Sequence, residues 1–475
     1  MSRSSSQEPR ILSQMCMEAI LDDVAVLQTA VEQLPSRLHA MLFTAAITAP
    51  PDLQAETSTR TSCCTKQEGG RLSLVEMIVE GFLGLKASSP LRTIDFSDIV
   101  APAIFQLPLL ALPRNEMFSD AVLDRVEKTY KKYVTNFDGT FDSILSWKLD
   151  QLYHSPIKCD LKTTGPIDVY TDCRVDIAEL LSMDDVILGL AVQDMGPFNI
   201  KICKLDVNNY HQREANSFRW LISNVDQQAL RNLAIFGKRK SVGLLFWDLY
   251  DDLKQLRHLE VFSLATSGPK MNSLSEDDPA PSAILSRTVD VLAGWEWLQE
   301  VYLSHIILTG QLSHWLGALK LPLSKLSLYN TGLDADDMTY LSECRHLATI
   351  TELAIQHNNL RGLGHELSAL VSRARALRQL HLKETQLMLH EKTAVMSALT
   401  SPHVRVVIMH EDEDMISTSG YETLVQLACT VESLREFYVF PFNYRPFEIF
   451  YRHAVQEATQ EILAAHDRTN LQLYY

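Results

Sequence analysis

Apolar residues recur along the second half of the chain at a fixed step. Leu323-x-x-Leu326-x-Leu328, Ile350-x-x-Leu353-x-Ile355 and Leu377-x-x-Leu380-x-Leu382 share one template, and a further leucine follows each after five residues: Leu333, Leu360 and Leu387. The three segments begin 27 residues apart. Val404-x-x-Val407-x-Met409 continues at the same step, Leu434-x-x-Phe437-x-Val439 follows after 30 residues, and Leu298-x-x-Val301-x-Leu303 precedes by 25. Weaker copies lie upstream: Leu259-x-x-Phe262-x-Leu264, Leu230-x-x-Leu233-x-Ile235, Ile202-x-x-Leu205-x-Val207 and, as a further candidate, Leu91-x-x-Ile94-x-Phe96.

A period of this length carrying L-x-x-L-x-L is the leucine-rich repeat signature. A strand buries alternate residues. The stretch between strands is long enough for a helix, and 334–342, 363–375 and 392–399 have helical patterning. One unit cannot bury its own apolar face, so neighbours must stack. The pattern predicts an α/β fold over residues 87–450: a leucine-rich repeat solenoid, a horseshoe with a parallel inner sheet and outer helices. Polar 266–282 (TSGPKMNSLSEDDPAPS) interrupts the register and reads as a surface loop.

The N-terminal third differs. Residues 10–47 and 72–86 have helical patterning, and Pro, Ser, Thr and Gly make 50–71 read as a flexible loop. Together, 10–86 form an expected helical cap. Pro102, Pro108 and Pro113 predict a loop or short turns between Val100 and Asn115. Residues 451–475 read as a C-terminal helix or tail.

Composition changes this picture in two ways. A chain of 475 residues suggests three domains at about 150 residues each, but the repeat replaces them with one long array and a cap. With 43 Lys+Arg against 59 Asp+Glu, the formal net charge is −16 and evenly spread. That opposes a sequence-independent grip on nucleic acid or adsorption to an anionic membrane. The longest weakly charged run, Ile99 to Pro113, is short of the roughly 20 residues of a membrane span, and no signal-peptide pattern opens the chain. The eight cysteines are scattered without CxxC spacing, which predicts a reducing compartment: cytoplasm, with a nuclear pool left open.

Catalytic signatures are missing. Gly81-x-x-Gly84-x-Lys86 lacks the spacing and the terminal Lys-Ser/Thr of a phosphate loop, and no HExxH, zinc-spaced Cys/His set or GxSxG elbow occurs. The acidic run Glu411, Asp412, Glu413, Asp414 lacks calcium-loop spacing. The expectation is a non-enzymatic protein with no cofactor and no metal.

The repeat sheet offers a surface instead. Alternation places Glu300, Tyr302 and Ser304 on the face opposite the core, then Lys325, Ser327 and Tyr329, then Glu352, Ala354 and Gln356. Gln379, His381 and Lys383 follow, then Val406, Ile408 and His410, and finally Glu436, Tyr438 and Phe440. Aromatics, amides and both charges suit protein recognition. Tyr302, Ser327, Tyr329, Gln356, His381, Lys383, His410 and Tyr438 are the candidate partner-binding residues on this concave face. A merely solvated face is the plainer alternative.

Near the N-terminus, Leu12, Cys16 and Ile20 share one helix face. Fourteen residues after Ile20 comes Leu34-Pro35-Ser36-Arg37-Leu38. The pair of motifs resembles the elongin-C-binding box and the cullin-2 box of ubiquitin-ligase substrate receptors. A long Leu can fill a partner's pocket, the small Cys allows close approach, and the Pro fixes the next helix start. An amphipathic helix packed on the repeats as their cap would show the same first stripe.

Residues 22–47 (DDVAVLQTAVEQLPSRLHAMLFTAAI) resemble the N-terminal region of the PRAME family. In order, Leu91-Arg92-Thr93-Ile94-Asp95, 167–175 (IDVYTDCRV), 199–207, Gly310-x-Leu312 through Leu328, and Phe440-Pro441-Phe442 also resemble that family. The resemblance implies a non-enzymatic leucine-rich horseshoe serving as substrate receptor of an elongin–cullin-2 ubiquitin ligase. Leu12, Cys16 and Ile20 would then engage elongin C, itself bound to elongin B, and Leu34, Pro35 and Leu38 would contact cullin-2. A client protein would occupy the concave face. The resemblance also implies an alternative, an inhibitory scaffold that damps NF-κB signalling without a ligase. The family's Trp-Pro-Phe segment after the first helices is absent, replaced by the Ser/Thr-rich loop at 57–65.

Overall fold

The computed structural model describes residues 93–100, 102–110, 112, 119–133, 166–177, 180–196, 198–238, 244–267, 279–409, 418–439, 448–468 and 470–474. Leu12, Cys16, Ile20, Leu34, Pro35, Leu38, His410, Phe440 and the acidic run 411–414 lie outside these residues. The chain divides into two compact units, residues 1–205 with 216–229, and residues 206–215 with 230–475.

In the first unit, β1 (Thr93–Val100) pairs in parallel with β2 (Ile167–Asp176), Ile94 opposite Val169 and Phe96 opposite Thr171. Both strands fall where the repeat template or the family resemblance predicts them. The described part of the proline-punctuated segment folds as short turns: a 3-10 turn over Pro102–Gln106 runs into a helical turn over Leu107–Leu110. Helices α1 (Asp120–Tyr133), α2 (Leu180–Val192) and α3 (Ala215–Asn224) accompany the strands. Gly189 lets α2 approach that turn, because a Cβ there would sit 2.0 Å from the Phe105 carbonyl oxygen. Strand β3 (Phe198–Tyr210) begins in this unit, where Asn199 Nδ2 donates to Asp168 Oδ1 at 2.8 Å and Lys201 pairs with Asp226.

The second unit alternates strands with helices. Its strands are β4 (Asn232–Lys238), β5 (Val261–Ser267), β6 (Glu300–Ser304), β7 (Lys325–Tyr329), β8 (Glu352–Ala354), β9 (Gln379–His381), β10 (Val406–Ile408), β11 (Glu436–Tyr438) and β12 (Gln472–Tyr474). They lie side by side in chain order, and every neighbouring pair is parallel. The register follows the template: Val301, Leu326, Leu353, Leu380, Val407 and Phe437 face one another across successive strands. Sequential order without crossovers is what stacked copies of one strand–helix unit must give.

The intervening helices are α4 (Leu245–Asp248), α5 (Tyr250–Lys254), α6 (Pro281–Gly294), α7 (Leu312–Ala318), α8 (Ala335–Glu343), α9 (Gly364–Arg373), α10 (Leu389–Ala398), α11 (Thr418–Thr430) and α12 (Glu448–Ala465). Helix α10 starts ahead of the patterned stretch 392–399. The polar segment predicted as a loop over 266–282 is shorter at both ends, since β5 runs on to Ser267 and α6 begins at Pro281. Strand pairing with β6 and β4 extends β5, and a proline in the first turn costs α6 no hydrogen bond. Strand β12 lies in the segment read as helix or tail. Its short apolar content, Leu471 and Leu473, carries no full template.

The core is the template itself. Leu323, Leu326, Leu328, Leu353, Ile355, Leu360, Leu377, Leu380 and Leu382 are all at most 1% exposed. Each such side chain contributes roughly 1.5–3 kcal/mol relative to exposure. Polar groups also stitch neighbouring units together. The buried ring of His346 accepts from Leu323 N (3.2 Å) at Nδ1 and donates from Nε2 to Leu316 O (2.9 Å). Burial holds its pKa below the ordinary histidine value. Asp337, at the start of α8, accepts from Gly310 N (2.9 Å) and Leu312 N (3.1 Å) of the preceding unit. Two units on, Glu391 accepts from Gly362 N (2.8 Å), Gly364 N (3.3 Å) and Met388 N (2.7 Å). Near the C-terminus, buried Arg468 donates to the carbonyls of Cys429, Val431 and Leu434.

Candidate functional site: the open face of the repeat sheet

Strand alternation sorts the second unit's side chains into two faces. In β6 and β7, Val301, Leu303, Leu326 and Leu328 are buried, while Glu300, Tyr302, Ser304, Lys325, Ser327 and Tyr329 stay half-buried. Gln356, Gln379, His381, Lys383, Val406, Ile408, Glu436 and Tyr438 continue the half-buried set. Ala354 is buried. All the candidate face residues except His410 and Phe440, which are outside the described residues, are thus on one side of the sheet.

Three clusters organise this face. At β6 and β7, Tyr302 Oη donates to Glu300 Oε2 (2.9 Å), and Lys325 Nζ pairs with Glu300 Oε1 (3.0 Å). Burial, reinforced by that carboxylate, raises the Tyr302 pKa. Burial likewise raises Tyr329. Both phenols are therefore neutral at physiological pH and act as hydrogen-bonding groups with an apolar ring, the kind of side chain that anchors protein interfaces.

The second cluster is aromatic. The His305 and Tyr329 rings stand edge-on with centroids 5.1 Å apart, and the His357 ring lies 4.5 Å from that of Tyr329. Asn330 Nδ2 lies 2.8 Å from His305 Nδ1. Alternation alone misses His305 and His357, because it sends them to the core side. The backbone reverses that. His305, Asn330, His357 and Glu384 each follow a strand with positive φ (60°, 51°, 56° and 55°). A left-handed residue breaks the two-residue period and costs a non-glycine roughly 1–2 kcal/mol. Nothing in a hydrophobic pattern marks these positions, though their recurrence at the repeat step does.

The third cluster is built around His381. Gln356 Nε2 lies 3.2 Å from His381 Nδ1, and Gln379 Oε1 lies 3.3 Å from Nε2. Desolvation lowers its pKa, outweighing the pull of Glu352, so the ring is neutral at pH 7. At the C-terminal end of the sheet, Tyr438 and Tyr474 stack in register with centroids 4.2 Å apart and planes 5° from parallel. Their hydroxyls donate to Glu436 (2.8 Å) and Gln472 (2.8 Å). The Glu436 carboxylate is the main reason the Tyr438 phenol is pushed up to about 12. Tyr474 extends the candidate surface beyond the strands that the template locates.

What holds the face in place was also missed. Asn358 is buried at the position three residues after Ile355. Its Oδ1 accepts from Thr331 N (2.9 Å) and Gly332 N (2.8 Å), and its Nδ2 donates to Leu328 O (2.6 Å) and Ile355 O (3.0 Å). Thr331 and Thr385 occupy the same place in their units and are also buried. The leucine-rich template carries an Asn or Cys at this point, so extending the motif by three residues would have found it.

The described face gathers amides, phenols, imidazoles and carboxylates for non-covalent recognition. Among the described residues no group of three or more His, Cys, Asp and Glu could hold a metal ion, and no helix is long and apolar enough to cross a membrane. Residues 201–468, more than half of the chain, match the family model described as the PRAME C-terminal domain. A comparison with curated proteins gives no match.

Proposed function

The chain belongs to the PRAME family, and from that premise we propose that it is a non-enzymatic repeat adaptor, the substrate-recognition subunit of an elongin B/C–cullin-2 ubiquitin ligase. The half-buried sheet face carries the client side of this reading. Tyr302, Tyr329, His305, His357, His381 and Tyr438 supply rigid rings, while Ser327, Gln356 and Lys383 supply adaptable polar contacts. Sheets of stacked repeats curve into a horseshoe whose inner face suits this task. The ligase side is supported by sequence: Leu12, Cys16 and Ile20 at elongin-box spacing, followed by Leu34, Pro35 and Leu38 at cullin-box spacing. Diffuse acidity, scattered cysteines and the lack of a catalytic signature agree with a cytoplasmic adaptor that needs no metal or cofactor.

The test is direct binding of purified elongin B/C to the full chain. A stable complex should form with the wild type and be lost in the Leu12→Ala, Cys16→Phe double variant. No complex with the wild type sinks the ligase reading. In affinity purification from cells, signalling partners that persist with both chains would favour the inhibitory scaffold.

A further inference from the structure

Apart from the open face, the second unit carries a basic groove where β9, β10 and β11 begin. Arg378, Arg405 and Arg435 each stand immediately before a strand, at equivalent positions of three consecutive units. Their backbones are hydrogen-bonded in series: Arg405 N donates to Arg378 O (2.7 Å), and Arg435 N donates to Arg405 O (2.8 Å). Neighbouring strands are about 4.8 Å apart, so the three residues form a row roughly 10 Å long. All three side chains are exposed and line one cavity of about 690 Å³. His403 and Glu432 line it too, with hydroxyls of the turns that lead from helix to strand.

Two observations make this row unusual. Among the described residues, none of the three guanidinium groups forms an ion pair, whereas Arg231, at the equivalent position before β4, is paired with Glu260. The positions before β6, β7 and β8 are Gln299, Ser324 and Thr351. The positive charge is therefore concentrated at one stretch of the edge in a chain whose net charge is −16.

We propose that this groove docks a phosphorylated serine or threonine segment of a partner protein. A phosphate offers about two negative charges and three acceptor oxygens, enough to engage adjacent planar forks bidentately. A single carboxylate satisfies one fork and leaves the others without a partner. A row of three arginines roughly 10 Å long matches one phosphate group and its flanking residues, and the net charge of −16 opposes a longer polyanion such as a nucleic acid. The site lies on a different edge from the sheet face, so it stands independently of the adaptor reading.

The test uses the full chain, immobilised and panned with a degenerate peptide library fixed at a central phosphoserine. The selected sequence is then measured by fluorescence anisotropy in phosphoserine, serine and glutamate forms, beside a 20-nucleotide oligo-dT. The phosphoserine form should bind at least tenfold tighter than the other two and than the oligonucleotide. Arg405→Glu should abolish that preference. Glu432→Gln, which removes the opposing charge at the rim, should tighten binding a few-fold, a gain that a folding defect cannot mimic. Equal binding of serine, glutamate and phosphoserine forms, preference for oligo-dT, or an unchanged affinity in Arg405→Glu would overturn the proposal.

Discussion

Replacing Asn358 tests whether the open face depends on a buried amide that joins two repeats. The Asn358→Ala variant removes one acceptor and two donors from a side chain that is 1% exposed. The amides of Thr331 and Gly332 lose their acceptor, and the carbonyl of Leu328 loses its shortest donor. Each buried group left unsatisfied costs about 1–3 kcal/mol. Thr331 Oγ1 still reaches Leu328 O at 3.4 Å, and water can enter the space left by the amide, so the three losses do not sum fully. A loss of roughly 3–5 kcal/mol follows. Asn358→Leu fills comparable volume and should recover little of it, because the deficit is in hydrogen bonds. Neighbouring Asn359 is exposed, and its alanine variant should change stability by less than about 0.5 kcal/mol. Urea unfolding gives the magnitudes, and hydrogen exchange gives the location, with Thr331 and Gly332 losing protection first. A cost below about 1 kcal/mol for Asn358→Ala, or full recovery by Asn358→Leu, would refute the reasoning.

Two further outcomes follow from buried groups. Burial holds the His346 and His381 pKa values below 6.5, so the unfolded chain binds protons more readily. Stability is therefore full above about pH 6.5 and declines as pH falls through that value toward the depressed folded ones. Unfolding midpoints between pH 8 and pH 5 should show this slope, and His346→Gln, which does not titrate, should flatten part of it. Gly364→Ala should cost about 1–3 kcal/mol, since the new Cβ would lie 2.7 Å from Cβ and Cγ of Glu391. That carboxylate is fixed by Gly362, Gly364 and Met388 amides and cannot swing away. Thermal melts that show no loss would mean that Glu391 has room to move.

The fold was largely legible because its signal is periodic. Every copy of the L-x-x-L-x-L template from Leu91 to Val439 coincides with a strand, and alternation correctly separated Leu326 and Leu328 from Ser327 and Tyr329. What escaped depends on backbone conformation or on polar pairing. His305 and His357 reach the face only because a left-handed residue breaks the two-residue period. The arginine row lies one residue before the template's facing positions, so each member looks like an ordinary surface charge until the strands are set side by side. Asp337 and Glu391 read as helix-start acids, yet besides the amide that opens their own helix each also binds two amides of the preceding unit. Strand β12 has too few apolar residues to carry the template and is ordered by pairing with β11.

In the function proposed above, one chain would use two separable surfaces, an N-terminal ligase-docking segment and a client-binding sheet face. The decisive measurement is quantitative affinity purification of three full-length chains from the same cells: wild type, the Leu12→Ala, Cys16→Phe variant, and a Tyr329→Ala, His381→Ala variant. The account predicts that the first variant loses elongin B/C and cullin-2 but keeps the client, and that the second keeps the ligase subunits and loses the client. Retention of elongin B/C by the first variant, or loss of both partner sets by a correctly folded second variant, would contradict it.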